Sequence, residues 1–256
     1  IPPAAHDGGT PLGAAGLIAN ELGERVLPMT SAYYGPAFAP DDIRRVLDRS
    51  GVSYRACDDA IEEAADLLAR GEIIGWFHGR MEFGPRALGN RSILGNPSLK
   101  GTSDRINAII KFRERWRPFC PSVLQEHAAE IFQAKQGAPF MTLSFLVRDH
   151  WRSKIAEVVH VDGSARPQTV DSHTNPRFYA LLQSFYRKTG LPLVLNTSLN
   201  RRGEPMACSP EDALTMFAGS GLQHLFLEDF LVSKRARVHG VDDVKGVVVA
   251  AQAPRA

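Results

Sequence analysis

The sequence predicts an α+β fold with a largely antiparallel, twisted sheet flanked by helices. Segments typical of strands and helices are mixed along the chain without the strict alternation of a doubly wound parallel sheet. The strand-like segments are short and rich in β-branched or aromatic residues, and several helical segments carry recognisable caps. With 256 residues, 44% of them apolar, the chain can bury a full core, as one large domain with an appendage or as two small domains.

Composition excludes several classes of protein. The longest apolar runs, such as residues 244–251, fall far short of the ~20 residues that span a bilayer, and no leader pattern opens the chain. We therefore expect no membrane span and no signal peptide. The three cysteines are far apart in the sequence, which argues against a disulfide framework and favours a reducing, cytoplasmic setting. Because the first residue is Ile1 and not a methionine, we expect that upstream sequence is missing.

The first seventy residues are predicted to contain three helices and a linker. Residues 8–23 are typical of a glycine-rich turn leading into a helix, and the proline- and glycine-rich residues 28–40 indicate a linker and a domain boundary. The next helix has Pro40 in its first turn and Gly51 past its end. A further helix ends at Gly71, and its inward face is predicted to comprise Ile61, Ala64, Ala65 and Leu68.

A strand, a loop and a helix are predicted next. Residues 73–77 are the strand, and residues 79–92, with the sequence GRMEFGPRALGNRS, are the loop. Ser103 is the predicted cap of the helix that follows. The residues of that helix expected to face inward are Ile106, Ile109 and Ile110. Further strands are predicted at residues 119–124, 140–147 and 155–161.

The last part of the chain contains the clearest helix signal. Asn175 is the predicted cap, Pro176 lies in the first turn and Gly190 ends the helix. Its buried stripe is predicted to be Phe178, Leu181, Leu182 and Phe185. A buried strand at residues 191–196, a capped helix at 209–221 and a last strand at 224–232 complete the order of elements.

Positive charge is concentrated in one segment. Residues 80–117 contain nine Lys or Arg against three Asp or Glu, a net charge of +6, so the remainder of the +2 chain is negative. A local excess of this kind indicates an anion site. Arginine binds phosphate or carboxylate through a planar fork, and glycines let the backbone approach the ligand closely. Any single arginine here could equally be a salt-bridged surface residue.

Two further segments carry candidate binding residues. In residues 111–122, cations alternate with other residues at a period of two, which favours a strand with four cations on one face or, equally, a charged edge strand protected from pairing. Residues 193–205 are predicted to begin with the end of the buried strand and to continue into a turn that presents Asn196, Thr197, Ser198 and Asn200, side chains suited to ribose and phosphate oxygens. Taken alone, that end is also typical of a turn that satisfies its own backbone.

Four segments together resemble one known family. They are GRMEFGPRALGNRSIL, KFRERWRPFCPSV, DGSARPQTV and LVLNTSLNRRGEP. In this order they closely resemble the C-terminal domain of the NodU/CmcH-type O-carbamoyltransferases, which has a YrdC-like α+β fold, over about residues 55–235. The resemblance implies that this domain forms carbamoyl adenylate from carbamoyl phosphate and ATP. A second domain then passes the carbamoyl group to a hydroxyl of a small-molecule acceptor such as a natural product.

The resemblance also implies domains and site residues. Residues 1–40 would be the end of the preceding metal-binding transferase domain plus a linker, 41–240 the YrdC-like domain, and 241–256 a tail. The residues implied to be catalytic are Arg80, Arg86, Lys111, Arg117 and Arg166. Those expected at the nucleotide are Lys111, Arg166, Asn196, Ser198 and Asn200, with Mg²⁺ on the ATP.

The same resemblance makes Asp7 a metal ligand, usually for Fe²⁺, alongside histidines of an upstream H-x-x-x-H. No H-x-x-x-H occurs in the 256 residues, so this site is expected to be incomplete without a missing N-terminal transferase domain. Neither a membrane nor a nucleic acid is an expected partner. The alternative is a YrdC-like module that binds nucleotide or RNA without catalysis. RNA binding predicts a broad basic stripe and strong salt dependence.

Overall fold

The computed structural model describes residues 1–234 and contains an eight-stranded sheet with helices on both faces. The helices are α1 (Thr10–Glu21), α2 (Pro40–Ser50), α3 (Ala60–Ala69), α4 (Thr102–Arg105), α5 (Ala128–Ile131), α6 (Asp149–Arg152), α7 (Pro176–Thr189) and α8 (Pro210–Ala218). The strands are β1 (Tyr54–Ala56), β2 (Ile74–Phe77), β3 (Arg91–Gly95), β4 (Cys120–Leu124), β5 (Phe145–Leu146), β6 (Ser164–Ala165), β7 (Gln168–Val170), β8 (Leu193–Ser198), β9 (His224–Leu227) and β10 (Phe230–Ser233).

The sheet is mixed but largely antiparallel, which confirms the predicted fold class. Its strand order is β1-β10-β9-β2-β3-β8-β4-β7, and strands β5 and β6 form a separate pair. Only the pairs β2–β9 and β4–β7 are parallel among the described strands. Strand β8 lies between β3 and β4 and runs antiparallel to both, so the loop that follows β8 meets the loops that precede β3 and β4.

The sheet separates two apolar cores. Helices α3 and α7 cover one face, where Trp76, Val194 and Phe226 are buried with the α7 stripe. Helices α2 and α8 pack on the other face, with Ile93 and Leu195. Neighbouring residues of β3 and β8 thus enter different cores, because side chains alternate across a strand. Strand β8 is buried between the two cores except at its polar end, where Thr197 and Ser198 are partly exposed.

Local capping explains why several helices match the prediction. Asn175 accepts a hydrogen bond from the Phe178 N–H (3.2 Å), and Gly190 ends α7 in the left-handed region at φ 72°. Asp59 caps α3 in the same way, and Ser209 forms a capping box with Asp212 in α8. These signals lie within a few residues of each helix end, so the sequence alone reveals them.

The helix predicted at residues 103–110 differs in its detail. Gly101 occupies the position before the first turn, and the Ser103 hydroxyl donates to Glu157 (2.5 Å) instead of capping the helix. From Ile106 to Lys111 the chain forms a π-helix. Its wider turn keeps Ile106 and Ile110 in the core but rotates Ile109 outward, where it is 41% exposed. The prediction that Ile109 faces inward was therefore wrong.

Several predicted strands were wrong or too long. Residues 140–147 contain only the short β5, and residues 155–161 contain a 3₁₀ turn over Ala156–Val158. The last predicted strand is a hairpin of β9 and β10, with Glu228 at φ 50° in its turn. Residues 111–119 form no strand, because Phe112 adopts the left-handed conformation and the chain turns before β4. Strands β1, β3, β6 and β7 were not predicted.

Within residues 1–234, no helix is long and apolar enough to cross a bilayer. The predicted linker at 28–40 is irregular, yet it contacts the main body: the Tyr33 hydroxyl donates to the Leu88 carbonyl (2.8 Å). The predicted tail at 241–256, together with its apolar run at 244–251, lies outside the described residues. The division of the chain at residues 40 and 241 therefore stays a prediction.

Candidate active site

A buried carboxylate organises the glycine- and arginine-rich loop. Glu82 is 4% exposed, and its Oε1 accepts hydrogen bonds from the backbone N–H groups of Leu88 (2.7 Å), Asn90 (2.8 Å) and Arg91 (3.2 Å). Burial raises the pKa of Glu82 above its usual value, although the N–H groups of Asn90 and Leu88 and the charge of Arg91 oppose the shift. Three backbone donors converging on one oxygen fix the path of the loop into β3.

Arg91 is a structural residue of this loop. Its side chain is fully buried, and the guanidinium stacks on the Phe77 ring at 3.6 Å from the ring centre. It donates to the carbonyl oxygens of His78 (2.9 Å), Gly79 (3.2 Å) and Asn90 (2.8 Å). Burial lowers its pKa to about 10. Part of the arginine content of the loop therefore holds the loop together instead of facing a ligand.

Three other arginines line one open pocket of about 110 Å³, which we call the cationic pocket. They are Arg86 from the loop, Arg113 from the segment before β4 and Arg166 from the segment between β6 and β7. Its remaining lining comprises Pro85, Ala87, Pro118, Phe119, Cys120, Met141, Asn196, Thr197 and Ser198. No carboxylate is among the lining residues, so the three positive charges have no counter-charge in the wall. This arrangement suits a multiply charged anion.

The pocket arginines are partly desolvated and close to one another. Burial lowers the pKa of Arg86, and the neighbouring charge of Arg166 lowers it further. Burial and then the charge of Arg117 do the same for Arg113. Arg113 is held in place, because its Nε donates to Asn107 (2.7 Å) and its guanidinium lies 4.7 Å from the centre of the Phe119 ring. Placing an anion between them would relieve this repulsion.

Beside the pocket, Lys111 is joined to the end of β8. It is 3% exposed, and its Nζ donates to the Ser198 carbonyl, to Ser198 Oγ (3.1 Å) and to Asn200 Oδ1 (2.7 Å). Ser198 Oγ in turn donates to Asn200 Oδ1 (2.6 Å). Burial lowers the pKa of Lys111 to about 7, and the charge of Arg113 adds to this. The ammonium thus has oxygen partners but no carboxylate beside it.

A larger, mostly apolar cavity lies next to this cluster. It measures about 470 Å³ and is lined by residues of the β8–α8 connection and of α8, together with Met81. Asn200 contributes to its wall and also accepts from Lys111, so it borders both sites. A polar, cationic pocket and an apolar cavity therefore flank the same short segment at the end of β8.

The structure brings some of the predicted site residues together and leaves others apart. Arg86, Arg166, Asn196 and Ser198 line the cationic pocket, and Lys111 and Asn200 adjoin it. Arg80 is not among its lining residues; it is exposed and donates to the Tyr34 carbonyl (2.8 Å). Arg117 pairs with Glu114 (3.8 Å) outside the wall, although its charge reaches Arg113.

The interpretation of residues 111–122 as a strand with four cations on one face was wrong. Lys111 and Arg113 point into the protein, whereas Arg115 is 78% exposed and pairs with Asp104 (3.1 Å). Arg113 was not predicted as a site residue, because a period of two places all four cations on the same face and does not distinguish Arg113 from the others. Cys120 also lines the cationic pocket, with Arg166 Nη2 3.2 Å from its sulfur.

The predicted metal ligand stands apart from this site. Asp7 is exposed in a short 3₁₀ turn, and the neighbouring His6 ring accepts a hydrogen bond from Gly8 N–H (3.0 Å). Within the described part of the chain, no group of three or more His, Cys, Asp or Glu residues could hold a metal ion. The described residues therefore form no complete iron site by themselves, and the role of Asp7 as a metal ligand stays a prediction.

Comparison with known proteins finds relatives that match most of this chain. The chain is 42% identical to the nodulation protein NolNO of Sinorhizobium fredii and 42% identical to NolO of Bradyrhizobium diazoefficiens. Each match covers 92% of this chain but only 36% and 44% of the relative, so the chain spans less than half the length of these proteins. Among solved structures, HypF of T. kodakarensis is similar over 75% of this chain and 24% of its own, with 15% identity and a TM-score of 0.46.

The family model described as "Carbamoyltransferase C-terminus" matches residues 65–234. The matched range begins in α3 and ends with the last described residue, so it contains all of the cationic pocket and the Lys111 cluster. The resemblance found from four sequence segments is confirmed. This chain belongs to the carbamoyltransferase C-terminal family.

Proposed function

We propose that this chain binds carbamoyl phosphate and ATP and, with one water, forms carbamoyl adenylate, as part of a larger O-carbamoyltransferase. Water releases inorganic phosphate from carbamoyl phosphate, and the resulting carbamate oxygen attacks the α-phosphorus of ATP, so that pyrophosphate leaves. The carbamoyl group would then be transferred to a hydroxyl of a small molecule. Family membership supports carbamoyl transfer as the chemistry. The observation that carries the proposal is the convergence of Arg86, Arg113 and Arg166 on one pocket whose wall has no carboxylate. An acyl phosphate and a triphosphate bring several negative charges together, and fixed cations lower the repulsion between them.

The two halves of the site suggest a division of labour. The arginines of the cationic pocket would bind the phosphate of carbamoyl phosphate through paired N–H donors. Lys111, with Ser198 and Asn200, would bind phosphate oxygens of ATP, since its donors now rest on neutral oxygens that an anion can replace. The apolar cavity beside Asn200 is of a size and polarity suited to the nucleobase. Mg²⁺ would arrive on ATP, because the pocket wall offers it no carboxylate.

Transfer to the acceptor is not assigned to residues of this chain. The resemblance implies an iron site that includes Asp7, and the described residues contain no group of three or more metal-ligating side chains that would complete it. Acceptor binding and transfer would therefore belong to the longer protein that the relatives represent. In this proposal the present chain activates the carbamoyl group.

RNA binding without catalysis is not favoured. An RNA-binding surface would present cations in a broad, exposed stripe. Here Arg86, Arg113 and Arg166 are gathered around one pocket, and other cations of the basic segment pair with acids, as Arg115 does with Asp104. Such local, partly buried charge fits a small anion better than a polymer.

The test is pyrophosphate release. The chain, incubated with MgATP and carbamoyl phosphate, should release pyrophosphate only when both are present. Absence of release, together with no calorimetric binding of either ligand, would refute the proposal. The RNA alternative is checked in parallel: it predicts double-stranded RNA binding that falls steeply between about 50 and 200 mM salt.

A further inference from the structure

The wall of the cationic pocket contains an enclosed oxygen without a partner. Asn196 lines the pocket and is only 1% exposed, and its Oδ1 has no hydrogen-bond partner within residues 1–234. Buried polar atoms are nearly always paired, so an unpaired one calls for an explanation. This atom is an acceptor in a wall where the charged side chains, all arginines, can only donate.

A chain of hydrogen bonds fixes the orientation of this amide. Gln168 Nε2 donates to the Leu88 carbonyl (2.7 Å), so Gln168 Oε1 faces Ser122 and accepts from its hydroxyl (2.7 Å). Ser122 Oγ then accepts a hydrogen bond from Asn196 Nδ2 (2.9 Å). The same Asn196 nitrogen also lies 3.4 Å from the Ala87 carbonyl oxygen. Backbone carbonyls can only accept, so reversing either amide would set two oxygens against each other.

We call Leu88, Gln168, Ser122 and Asn196 the amide chain. Its starting point is further fixed, because the Tyr33 hydroxyl also donates to the Leu88 carbonyl (2.8 Å). Gln168 and Ser122 lie on neighbouring strands, paired in register across β7 and β4. The Asn196 oxygen is therefore held as a free acceptor by the sheet itself.

Among the described residues, the same wall also holds one enclosed donor without a partner, the Nε of Arg166. One unpaired acceptor and one unpaired donor are the complement of a carbamoyl group, which has a donating amine and an accepting carbonyl oxygen. An acetyl group has the carbonyl but carries a methyl in place of the amine. It would leave the Asn196 oxygen enclosed and unpaired, which is the costly outcome for a buried polar atom.

We propose that the amide chain makes this pocket select carbamoyl phosphate over acetyl phosphate, with Asn196 Oδ1 accepting a hydrogen bond from the carbamoyl amine. Asn196 contacts the ligand, and Gln168 and Ser122 are positioning residues. The inference rests on the proposed function, because it concerns the same pocket. Losing one such hydrogen bond, with the acceptor left buried, corresponds to about 10- to 100-fold in affinity.

The first test compares three ligands on the unmodified 256-residue chain by calorimetric titration: inorganic phosphate, acetyl phosphate and freshly dissolved carbamoyl phosphate. Carbamoyl phosphate should bind about 10- to 100-fold more tightly than acetyl phosphate. Equal affinities for the two acyl phosphates would overturn the selectivity and leave the proposed function standing. No binding of any of the three would refute the anion site itself, and this inference with it.

The second test separates positioning from support of the fold. Gln168→Met preserves the side-chain volume and adds no charge. It removes two hydrogen bonds of the Gln168 amide, the one to the Leu88 carbonyl and the one from the Ser122 hydroxyl. In Gln168→Met the ratio of carbamoyl to acetyl phosphate affinity should fall toward one, while the affinity for inorganic phosphate is unchanged. In Asn196→Ala the same ratio should also fall toward one. The matched control is Asn96→Ala, which removes another buried amide, bonded to Ser98 outside the pocket. In this control, the ratio of carbamoyl to acetyl phosphate affinity should equal that of the unmodified chain.

If Gln168→Met and Asn196→Ala weaken the binding of all three ligands equally and leave the ratio of carbamoyl to acetyl phosphate affinity unchanged, the amide chain has only a structural role. That result would overturn the proposal. If neither variant folds, the ligand comparison on the unmodified chain decides by itself.

Discussion

At the scale of single residues, the surroundings of each arginine decide its role. Arg86 lines the cationic pocket beside Arg166, whereas Arg105 is exposed and donates to the Gly71 carbonyl (3.0 Å). Lysine keeps the charge of arginine but loses the planar fork that binds two oxygens at once. The same substitution at the two positions therefore compares a shaped contact with general electrostatics.

We expect Arg86→Lys to lower pyrophosphate release by about 10²- to 10³-fold, the usual loss when one donor to a developing charge is removed. Arg105→Lys, its control, should stay within about twofold of the unmodified chain, because surface charges contribute little. The measurement is the initial rate at saturating ATP and carbamoyl phosphate. Equal losses at both positions would show that only net charge matters.

Lys111 should give the protein a pH-dependent stability. Its folded pKa is lowered from 10.5 to about 7 by burial, so between these values the unfolded chain holds a proton that the folded chain lacks. The free energy of unfolding therefore rises with pH across this window, and the gain is lost as pH falls through about 7. One proton corresponds to a slope of at most about 1.4 kcal/mol per pH unit.

Urea denaturation from pH 6 to pH 9 should show this rise in the unmodified chain and a flatter profile in Lys111→Met. The difference between the two profiles isolates Lys111 from other groups that titrate in the same range. Parallel profiles would mean that Lys111 keeps an ordinary pKa in the folded protein.

At the scale of elements, one glycine sets how closely the arginine-rich loop packs on α7. Gly89 has φ 101°, and a Cβ atom there would lie 2.2 Å from the Phe178 ring of α7. Gly101 has nearly the same conformation, at φ 89°, with nothing within 4 Å of its would-be Cβ. Substitution by alanine strains the backbone at both positions, but only Gly89→Ala also overfills the core.

We expect Gly89→Ala to destabilise the protein by about 1–3 kcal/mol more than Gly101→Ala, the usual penalty of overpacking. Thermal and urea denaturation of the two variants measure this difference directly. Gly89→Ala should also weaken phosphate binding, because the loop carries Arg86 into the pocket. Equal destabilisation of the two variants would mean that backbone strain alone is felt and that Phe178 moves aside.

The elements also show which structure a sequence can predict. Helices α2, α3, α7 and α8 were predicted because their caps and apolar stripes lie within one short segment. Residues 140–147 and 155–161 place only part of their apolar side chains in the core, such as Met141, Val147 and Val158, and burial alone does not require a strand. Strand β3 was hidden because it begins with a charged residue, Arg91, whose burial depends on partners from elsewhere in the fold.

The site could be predicted only in part for the same reason. Arg86, Arg166 and Ser198 were found by their resemblance to a family, and the structure gathers them into one pocket although they lie far apart in the sequence. The hydrogen bonds of Gln168 and Ser122 could not be predicted from the sequence, because they depend on the register in which β7 pairs parallel to β4. Neither strand pairing nor register is written in the local pattern of either segment.

At the scale of the whole molecule, the chain corresponds to one part of longer relatives. Its relatives NolNO and NolO are covered over only 36% and 44% of their lengths. The described residues contain the cationic pocket and the Lys111 cluster but no cluster of metal ligands around Asp7. Under the proposed function, formation of carbamoyl adenylate and transfer to the acceptor should therefore be separable.

The chain alone should release pyrophosphate from MgATP in the presence of carbamoyl phosphate, yet transfer no carbamoyl group to an alcohol. The reason is that activation needs the cationic pocket, which is present, whereas the proposal assigns acceptor binding to the longer protein. Mass spectrometry of a set of hydroxyl compounds incubated with both substrates measures transfer, and pyrophosphate release in the same tubes shows that activation has occurred. Arg86→Lys serves as the control for background hydrolysis. A carbamoylated alcohol formed by the unmodified chain, and not by this variant, would show that the acceptor site lies within these 256 residues and that the proposed division is wrong.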